Sequence, residues 1–531
     1  MRKFLVVTAW VLALSILLCS CAGSPGAGDS VQDKNVDLGS YPLNTDVELT
    51  YWVALNANVA ATATNMGETA FAKELEKKTG VKIKYIHPAM GQESEAFSLM
   101  IASNELTDII EHNWTSALGS PSVAIDDGII LSLNDSIRDY APNLSAFLSE
   151  NPDIDKSLKT DDNQYYAFPF IRNDKSLLIS SGPIFRADWL EELGLSVPET
   201  VEEWENVLTR FRDEKGATAP FTILNWDFRY LLYMLSAHNN YYIDDGKVKF
   251  GPAEPEYKEA LTILNRWYTT GLLDKNYVSV DIAIQDANIL NGKSGATIGS
   301  GGGSLGKWLD TMKDKDPSFD LTGARYMGAS KEENTRFLPF SAPYASIAAA
   351  AITTSCKNVP IAAKFLDYSY GEEGAILNNF GIEGESFSYS GDYPTYSSII
   401  TSNTEKLTVS QAMAMYCRAN YAGPFIQDKR YIEQYYEKPQ QKNALQSWIM
   451  GYEESIPYQM PASTTLTPEE NGAFINIYNE IVKYKDTMTA SFISGTEPLS
   501  KYDEYLERMS KLNVEKTIEL QQNAYDRYLK R

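Results

Sequence analysis

The stretch from Tyr165 to Thr200, YYAFPFIRNDKSLLISSGPIFRADWLEELGLSVPET, sets two strand signals, a helix and the start of another helix in quick succession. Tyr165 to Phe170 is aromatic and reads as an extended strand, Arg172 to Lys175 as a turn, and Ser176 to Ile179 as a second apolar strand. A helix begins around Arg186, Asp188 and Trp189. It stops at Gly194, because glycine takes the left-handed conformation past a helix C-terminus at least cost. Pro198 and Thr200 then mark a stop and an N-cap, after which Val201-Glu202-Glu203-Trp204 opens an amphipathic helix.

Toward the N-terminus, Val47 to Leu55 reads as a strand, Glu68 to Thr79 as a helix ended by Gly80, and Val81 to Ile86 as a second strand. Gln92 to Ser103 is a further helix and Thr107 to Glu111 a further strand, the order of a parallel α/β layer. Ligands of open α/β sheets sit beyond strand C-termini. That places Trp52, Glu111, His112, Asn113 and Trp114 at a binding cleft.

Toward the C-terminus, Thr218 to Asn225 leads like a strand into Trp226-Asp227-Phe228-Arg229, and Asp245-Gly246 turns a hairpin. Residues 291–299 form a strand that ends in Ser300-Gly301-Gly302-Gly303. This loop lacks G-x-x-x-x-G-K-[ST], so it reads as backbone approaching a ligand, or as a plain tight loop, rather than as a nucleotide cradle. Ser341 to Tyr344 reads as a second passage between layers, and Thr467 onward shows long helical periodicity.

A chain of 531 residues, 44% hydrophobic and 12% aromatic, is large enough for at least two cores. Its net charge of −23 argues against nucleic acid and against direct binding to an anionic membrane face. The three histidines, at 87, 112 and 238, include no i, i+4 pair, which disfavours metal-dependent and Ser-His-Asp hydrolysis; no metal or cofactor is expected. A glycosidase needs only two carboxylates, and Glu111 and Glu383 are the pair to consider first. The same groups would accept hydrogen bonds from sugar hydroxyls.

The positive signal is aromatic: 9 Trp, 33 Tyr and 20 Phe. Sugar rings stack their C–H faces on aromatic planes while planar polar groups bind their hydroxyls. Trp52, Trp114 and Trp226 lie beside strand ends with Glu111, Asn113, Asp227 and Arg229 next to them, whereas Trp189, Trp204, Trp267 and Trp448 have helical spacing and read as core.

The central stretch resembles the first inter-lobe crossing of the extracellular solute-binding proteins of bacterial ABC importers, in particular the large lipoprotein subfamily of Gram-positive bacteria associated with oligosaccharide uptake. In that family an aromatic-Pro strand leaves the first lobe and a D-W-L-x-x-L-G-L-x-x-P-x-T run opens the second. Here that run is Asp188-Trp189-Leu190, Leu193-Gly194-Leu195, Pro198 and Thr200. Ala363, Phe365, Leu366, Asp367 and Tyr368, then Phe380-Gly381-Ile382-Glu383-Gly384, resemble two more of its motifs. Leu18-Cys19-Ser20-Cys21, after the basic Arg2-Lys3 and the apolar run Phe4 to Leu18, resembles a lipobox that closes a secretory signal.

The resemblance implies an α/β, two-lobe type 2 periplasmic-binding-protein fold whose interleaved lobes are joined by hinge crossings. Residues 1–20 are then a signal peptide and 21–44 a flexible tether lipidated on Cys21. Residues 45–168 form the first lobe, 169–342 the second, 343–384 a return to the first, and 385–531 a return to the second with the C-terminal helices. It implies a non-enzymatic, cofactor-free, monomeric lipoprotein on the outer face of the cell membrane. Such a protein captures an oligosaccharide between its lobes and delivers it to ABC permeases. A binder of peptides or other small solutes, and a surface-anchored glycosidase, are the alternatives. The expected ligand-binding residues are Trp52, Glu111, Asn113, Trp114, Trp226, Asp227, Arg229, Ser300, Gly301, Tyr344 and Glu383. Cys356 and Cys417 are the two cysteines left to pair or stay free.

Overall fold

A computed structural model describes residues 38–531 apart from 116, 119, 329, 342 and 343 and the side chains of 344–347. The signal peptide, Cys21 and most of the tether therefore lie outside the described residues. Residues Leu38–Arg531 form one compact unit.

In chain order the strands are β1 (Glu48–Trp52), β2 (Lys82–Ile86), β3 (Ile109–His112), β4 (Phe168–Arg172), β5 (Ser181–Arg186), β6 (Phe221–Thr222), β7 (Tyr241–Asp244), β8 (Lys247–Phe250), β9 (Ala296–Ser300), β10 (Leu321–Gly323), β11 (Tyr344–Ile352), β12 (Phe387–Ser390), β13 (Tyr393–Tyr396) and β14 (Ile426–Gln427). They build two principal sheets, β14-β4-β11-β3-β1-β2 and β10-β5-β9-β6, and two hairpins. In the first sheet β1 runs parallel to β2 and β3, while β11, arriving much later in the chain, is inserted antiparallel between β3 and β4. In the second, β9 is antiparallel to β5 and parallel to β6. This is the α/β arrangement of type 2 solute-binding proteins.

Local chemistry fixes the elements. Thr69 caps the helix Ala70–Thr79 by accepting from Ala72 N, and Gly80 closes it at φ +74. A Cβ on Gly80 would sit 2.3 Å from Leu43 O, so glycine is required there for space as well as conformation. Asp245 and Gly246 both have positive φ, the geometry that a two-residue turn between β7 and β8 demands.

Each principal sheet has its own core, the first built around Leu49, Phe71, Ile109, Phe168 and Ile352, the second around Phe185, Trp204, Phe221, Trp267 and Ile298. Trp204 stacks on Trp267 with centroids 6.1 Å apart and meets Phe185 edge-on at 4.6 Å. Trp189, Trp204, Trp267 and Trp448 are all buried, as their helical spacing predicts. The C-terminal helix Val514–Leu529 carries Arg527, which bonds Glu470 (2.6 Å) and Asp161 (2.9 Å).

The central stretch folds with one displacement. Asp174 caps a single turn over Lys175–Leu177, accepting from Ser176 N at 2.9 Å, so the second strand begins at Ser181 rather than Ser176. All of β4 lies in the first sheet; the chain changes sheets between Arg172 and Ser181, not after residue 168. It re-enters the first sheet at Tyr344.

The boundary at residue 384 needs a larger correction. Gly381, at φ +86, turns the chain into the β12–β13 hairpin, and β14 then joins β4 in the first sheet. The segment that reaches the second sheet is the helix Pro439–Trp448, whose Trp448 Nε1 donates to Pro183 O at 3.1 Å. The return to the second sheet thus lies between Gln427 and Pro439.

Candidate functional site

At the C-terminal ends of β1 and β3 lies a cavity of about 240 Å³ whose lining includes Trp52, Asn56, Glu111, His112, Arg418 and Tyr421. Its base is an ion pair. Arg418 Nη2 and Nη1 donate to Glu111 at 2.8 and 3.2 Å, and Tyr51 Oη donates to the same carboxylate at 2.7 Å. Both charged side chains are buried. Burial works against the Arg418 charge, but Glu111 together with the Tyr421 and Tyr51 hydroxyls outweighs it and its pKa rises. Gly423 lets the guanidinium lie flat, since a Cβ there would be 2.2 Å from its central carbon. Two buried groups of this cavity, Arg418 Nε and the Tyr421 hydroxyl, have no hydrogen-bond partner within the protein. Native folds rarely leave such groups orphaned.

The facing ends of the second sheet are those of β6 and β9. Beyond β6, Asn225–Asp227 form a turn anchored by Asn225 N donating to Val280 O at 3.1 Å, and the helix Phe228–Met234 follows. Trp226 at the crest of this turn is 52% exposed. Arg229 borders two cavities. One, of about 320 Å³, includes Ser181, Tyr230, Tyr233, His238 and Ser341 in its lining; the other, of about 440 Å³, includes Trp226, Asn239, Tyr257, Tyr277 and Asp486. Arg229 donates to Tyr230 Oη at 3.2 Å and lies 5.0 Å from that ring's centroid. Burial pushes the Asp227 carboxyl up to about 6 and the His238 imidazole down to about 4, so His238 is neutral at pH 7.

The two walls are close along the chain. Ser341 lines the second-sheet cavity and Ala348, in β11, lines the first-sheet one. An extended chain between them spans at most about 25 Å. A further gap of about 560 Å³ is lined by Asn58 and Ser410, by Gly302 and Lys307, by Tyr435 of the connecting segment and by Gln441 of the helix that follows it.

The expected residues divide sharply. Trp52 and Glu111 line the first cavity, and Trp226 and Arg229 the second-sheet cavities, with half-buried Asp227 beside them. Asn113 is half-buried and accepts from Thr115 Oγ1 at 2.9 Å. Trp114 is corrected: it is fully buried, its indole N–H donates to Ala349 O at 3.1 Å, and its ring meets Phe97 and His112 edge-on. The alanines of β11 leave the room it fills.

Gly301 is corrected too, because its missing side chain makes space for Tyr436 and not for a ligand; a Cβ would meet that ring at 2.4 Å, and its carbonyl accepts from Gln441 at 2.8 Å. Ser300 ends β9 opposite Ser181. Glu383 is exposed in the turn after Gly381 and lines none of the four cavities above, whereas Glu111 is buried and ion-paired. Tyr344 begins β11 opposite Ile171, and its side chain lies outside the described residues. Cys356 and Cys417 are buried and free, with both thiols pushed up to about 12 by burial. Arg418, Tyr421, Tyr233 and His238 were not anticipated as cavity residues.

The fold agrees with what the chain is similar to. The fructooligosaccharide ABC transporter substrate-binding protein FusA of Streptococcus pneumoniae is 23% identical over 552 residues, covering 98% of each chain. Lipoprotein LipO of Bacillus subtilis is 26% identical over 334 residues, 59% of this chain and 63% of LipO. A solved HMO-binding, ABC-transporter-associated solute-binding protein from Bifidobacterium longum infantis superposes with a TM-score of 0.73 at 19% identity, covering 91% of this chain and 99% of that one. The family model for bacterial extracellular solute-binding proteins matches residues 57–376, more than half of the sequence. The chain belongs to the bacterial extracellular solute-binding proteins.

Proposed function

We propose that this protein is the substrate-binding component of an ABC importer, that its solute is an oligosaccharide, and that Cys21 anchors it by lipid to the outer face of the cell membrane. The carrying observation is the pair of cavity walls at the strand ends of two separate sheets. Each combines aromatic rings with hydrogen-bonding groups: Trp52, Tyr421 and Arg418 on one, Trp226, Tyr230 and Arg229 on the other. Such a combination suits a solute with C–H faces and many hydroxyls. The fructooligosaccharide binding in the name of the relative that spans nearly the whole chain supports the same solute class. The lipoprotein name of LipO supports the anchor.

The mechanism follows from the geometry. A solute that touches both walls binds the closed arrangement better than the open one, and that differential affinity sets how far the equilibrium shifts. The segments that join the sheets, between Arg172 and Ser181, before Tyr344, and between Gln427 and Pro439, absorb the motion. The closed form then docks on the permeases, and no covalent bond is made or broken. Calorimetric titration against oligosaccharides, amino acids, peptides and polyamines tests the reading: saturable heat is expected with an oligosaccharide. Binding confined to peptides would overturn the solute while leaving the fold untouched.

A further inference from the structure

Resting on the oligosaccharide reading, we propose that the solute carries a carboxylate, a uronic acid unit, and that Arg229 is the residue that selects it. The relevant cavity is the one of about 320 Å³ beside the connecting segments, lined by Ser180, Ser181, Arg229, Tyr230, Tyr233 and His238 among others. None of its lining residues is Asp or Glu, in a chain that has 70 acidic against 47 basic residues.

Arg186, Arg266, Arg325, Arg336, Arg418 and Arg430 each face a carboxylate of the protein. Among the described residues Arg172, Arg229 and Arg508 form no such ion pair, and of these three Arg229 is the one that lines this cavity. Among the described residues no carboxylate oxygen lies within 4.0 Å of Arg229. Its one hydrogen bond, to Tyr230 Oη, and its position over that ring hold the guanidinium in place and leave most of its five donors open.

Of the neighbouring acids, Asp227 is near enough for its charge to act on Arg229 but forms no ion pair with it, and Asp486, which lines the adjoining cavity, is bonded to Lys485 at 2.9 Å. His238 is neutral, its Nδ1 within 2.8 Å of Asn240 O, so Arg229 is the only positive charge lining the cavity. A planar fork with free donors matches a carboxylate bidentately, whereas a neutral sugar offers only single hydroxyls to it. One cation and no lining anion suits one carboxylate per bound chain.

The test titrates the mature protein with uronic-acid trisaccharides, neutral trisaccharides and a sulfated trisaccharide, at about 50 mM and about 500 mM salt. A uronic-acid trisaccharide is expected to bind at least tenfold more tightly than every neutral one, with the advantage shrinking at high salt. Arg229→Gln should bring its affinity down to the neutral level and leave the melting temperature unchanged, and Arg229→Lys should restore only part of the difference. The proposal is overturned if a neutral or the sulfated trisaccharide binds as tightly as the best uronic acid, or if Arg229→Gln weakens neutral and acidic sugars alike. Binding of neutral sugars alone would overturn this inference and leave the proposed function standing; binding of no glycan would overturn both.

Discussion

The two walls of the site each set an arginine beside a tyrosine, but they use it differently. On the first-sheet wall Arg418 is buried, bonded twice to Glu111, and pinned by Ala422 O and the flat approach of Gly423. On the second-sheet wall Arg229 is exposed and, among the described residues, is bonded only to Tyr230, with no carboxylate oxygen within 4.0 Å. The first arginine is part of the scaffold and shapes the wall through its partner. The second can give its donors to something that arrives. Stability and recognition are therefore separated between the halves, and substitutions should separate them too.

The largest expected effect is on the first wall. Glu111→Ala leaves a buried guanidinium without its counter-charge, which costs about 3–5 kcal/mol. Equilibrium unfolding in denaturant should show it, while Arg229→Ala should stay within about 0.5 kcal/mol of the parent because its site is solvent-exposed. Equal losses from the two would erase the contrast. Gly423→Ala sharpens it: the added Cβ pushes on the Arg418 guanidinium, and a loss of about 1–3 kcal/mol is expected from overpacking.

A smaller effect is read from pH on the second wall. Burial raises the folded carboxyl of Asp227 from 3.8 to about 6. Between those values the folded chain holds a proton that the unfolded chain has released, so this group makes stability rise as pH falls from about 6 toward 4. Because Asp227 is only half-buried, solvent screening limits its share to about 1 kcal/mol. Asp227→Asn should flatten that part of the stability profile, with Asp367, whose carboxyl is also raised to about 6 by burial, supplying the slope that remains. An unchanged slope in Asp227→Asn would mean that the carboxyl is hydrated and titrates normally.

Much of this molecule was legible in the sequence because periodicity and stop signals are local. Gly80, Thr200 and the Asp245-Gly246 turn did what their chemistry dictates. Trp52, Glu111, Trp226 and Arg229, read from strand ends, do line cavities at the ends of β1, β3 and β6. What a strand end could not reveal is which way a ring is packed. Trp114 and Trp226 follow similar signals, yet one fills the space above the alanines of β11 and the other stands in solvent.

Long-range partners were equally hidden. Arg418 meets Glu111 across 307 residues of chain, and neither the helix Val409–Tyr416 nor the loop after it carries a local mark of that contact. The Phe380-Gly381-Ile382-Glu383-Gly384 motif misled for a related reason. A glycine at positive φ announces a turn, but not whether the chain then changes sheets or, as here, folds back into a hairpin.

The central claim is that one solute is held by both walls, and one pair of variants tests it directly. Tyr421→Phe removes a hydroxyl that has no partner in the fold, and Trp226→Ala removes a ring that is half in solvent, so neither should lower the melting temperature. Titrated with whichever oligosaccharide binds the parent protein most tightly, the first should weaken binding about 5–10-fold and the second about tenfold or more, as expected for one hydrogen bond and one stacked ring. Loss of affinity in both, with melting unchanged, is the predicted result. Full affinity retained in either variant would mean that the solute rests on one wall alone, and the account of capture between the two halves would be contradicted.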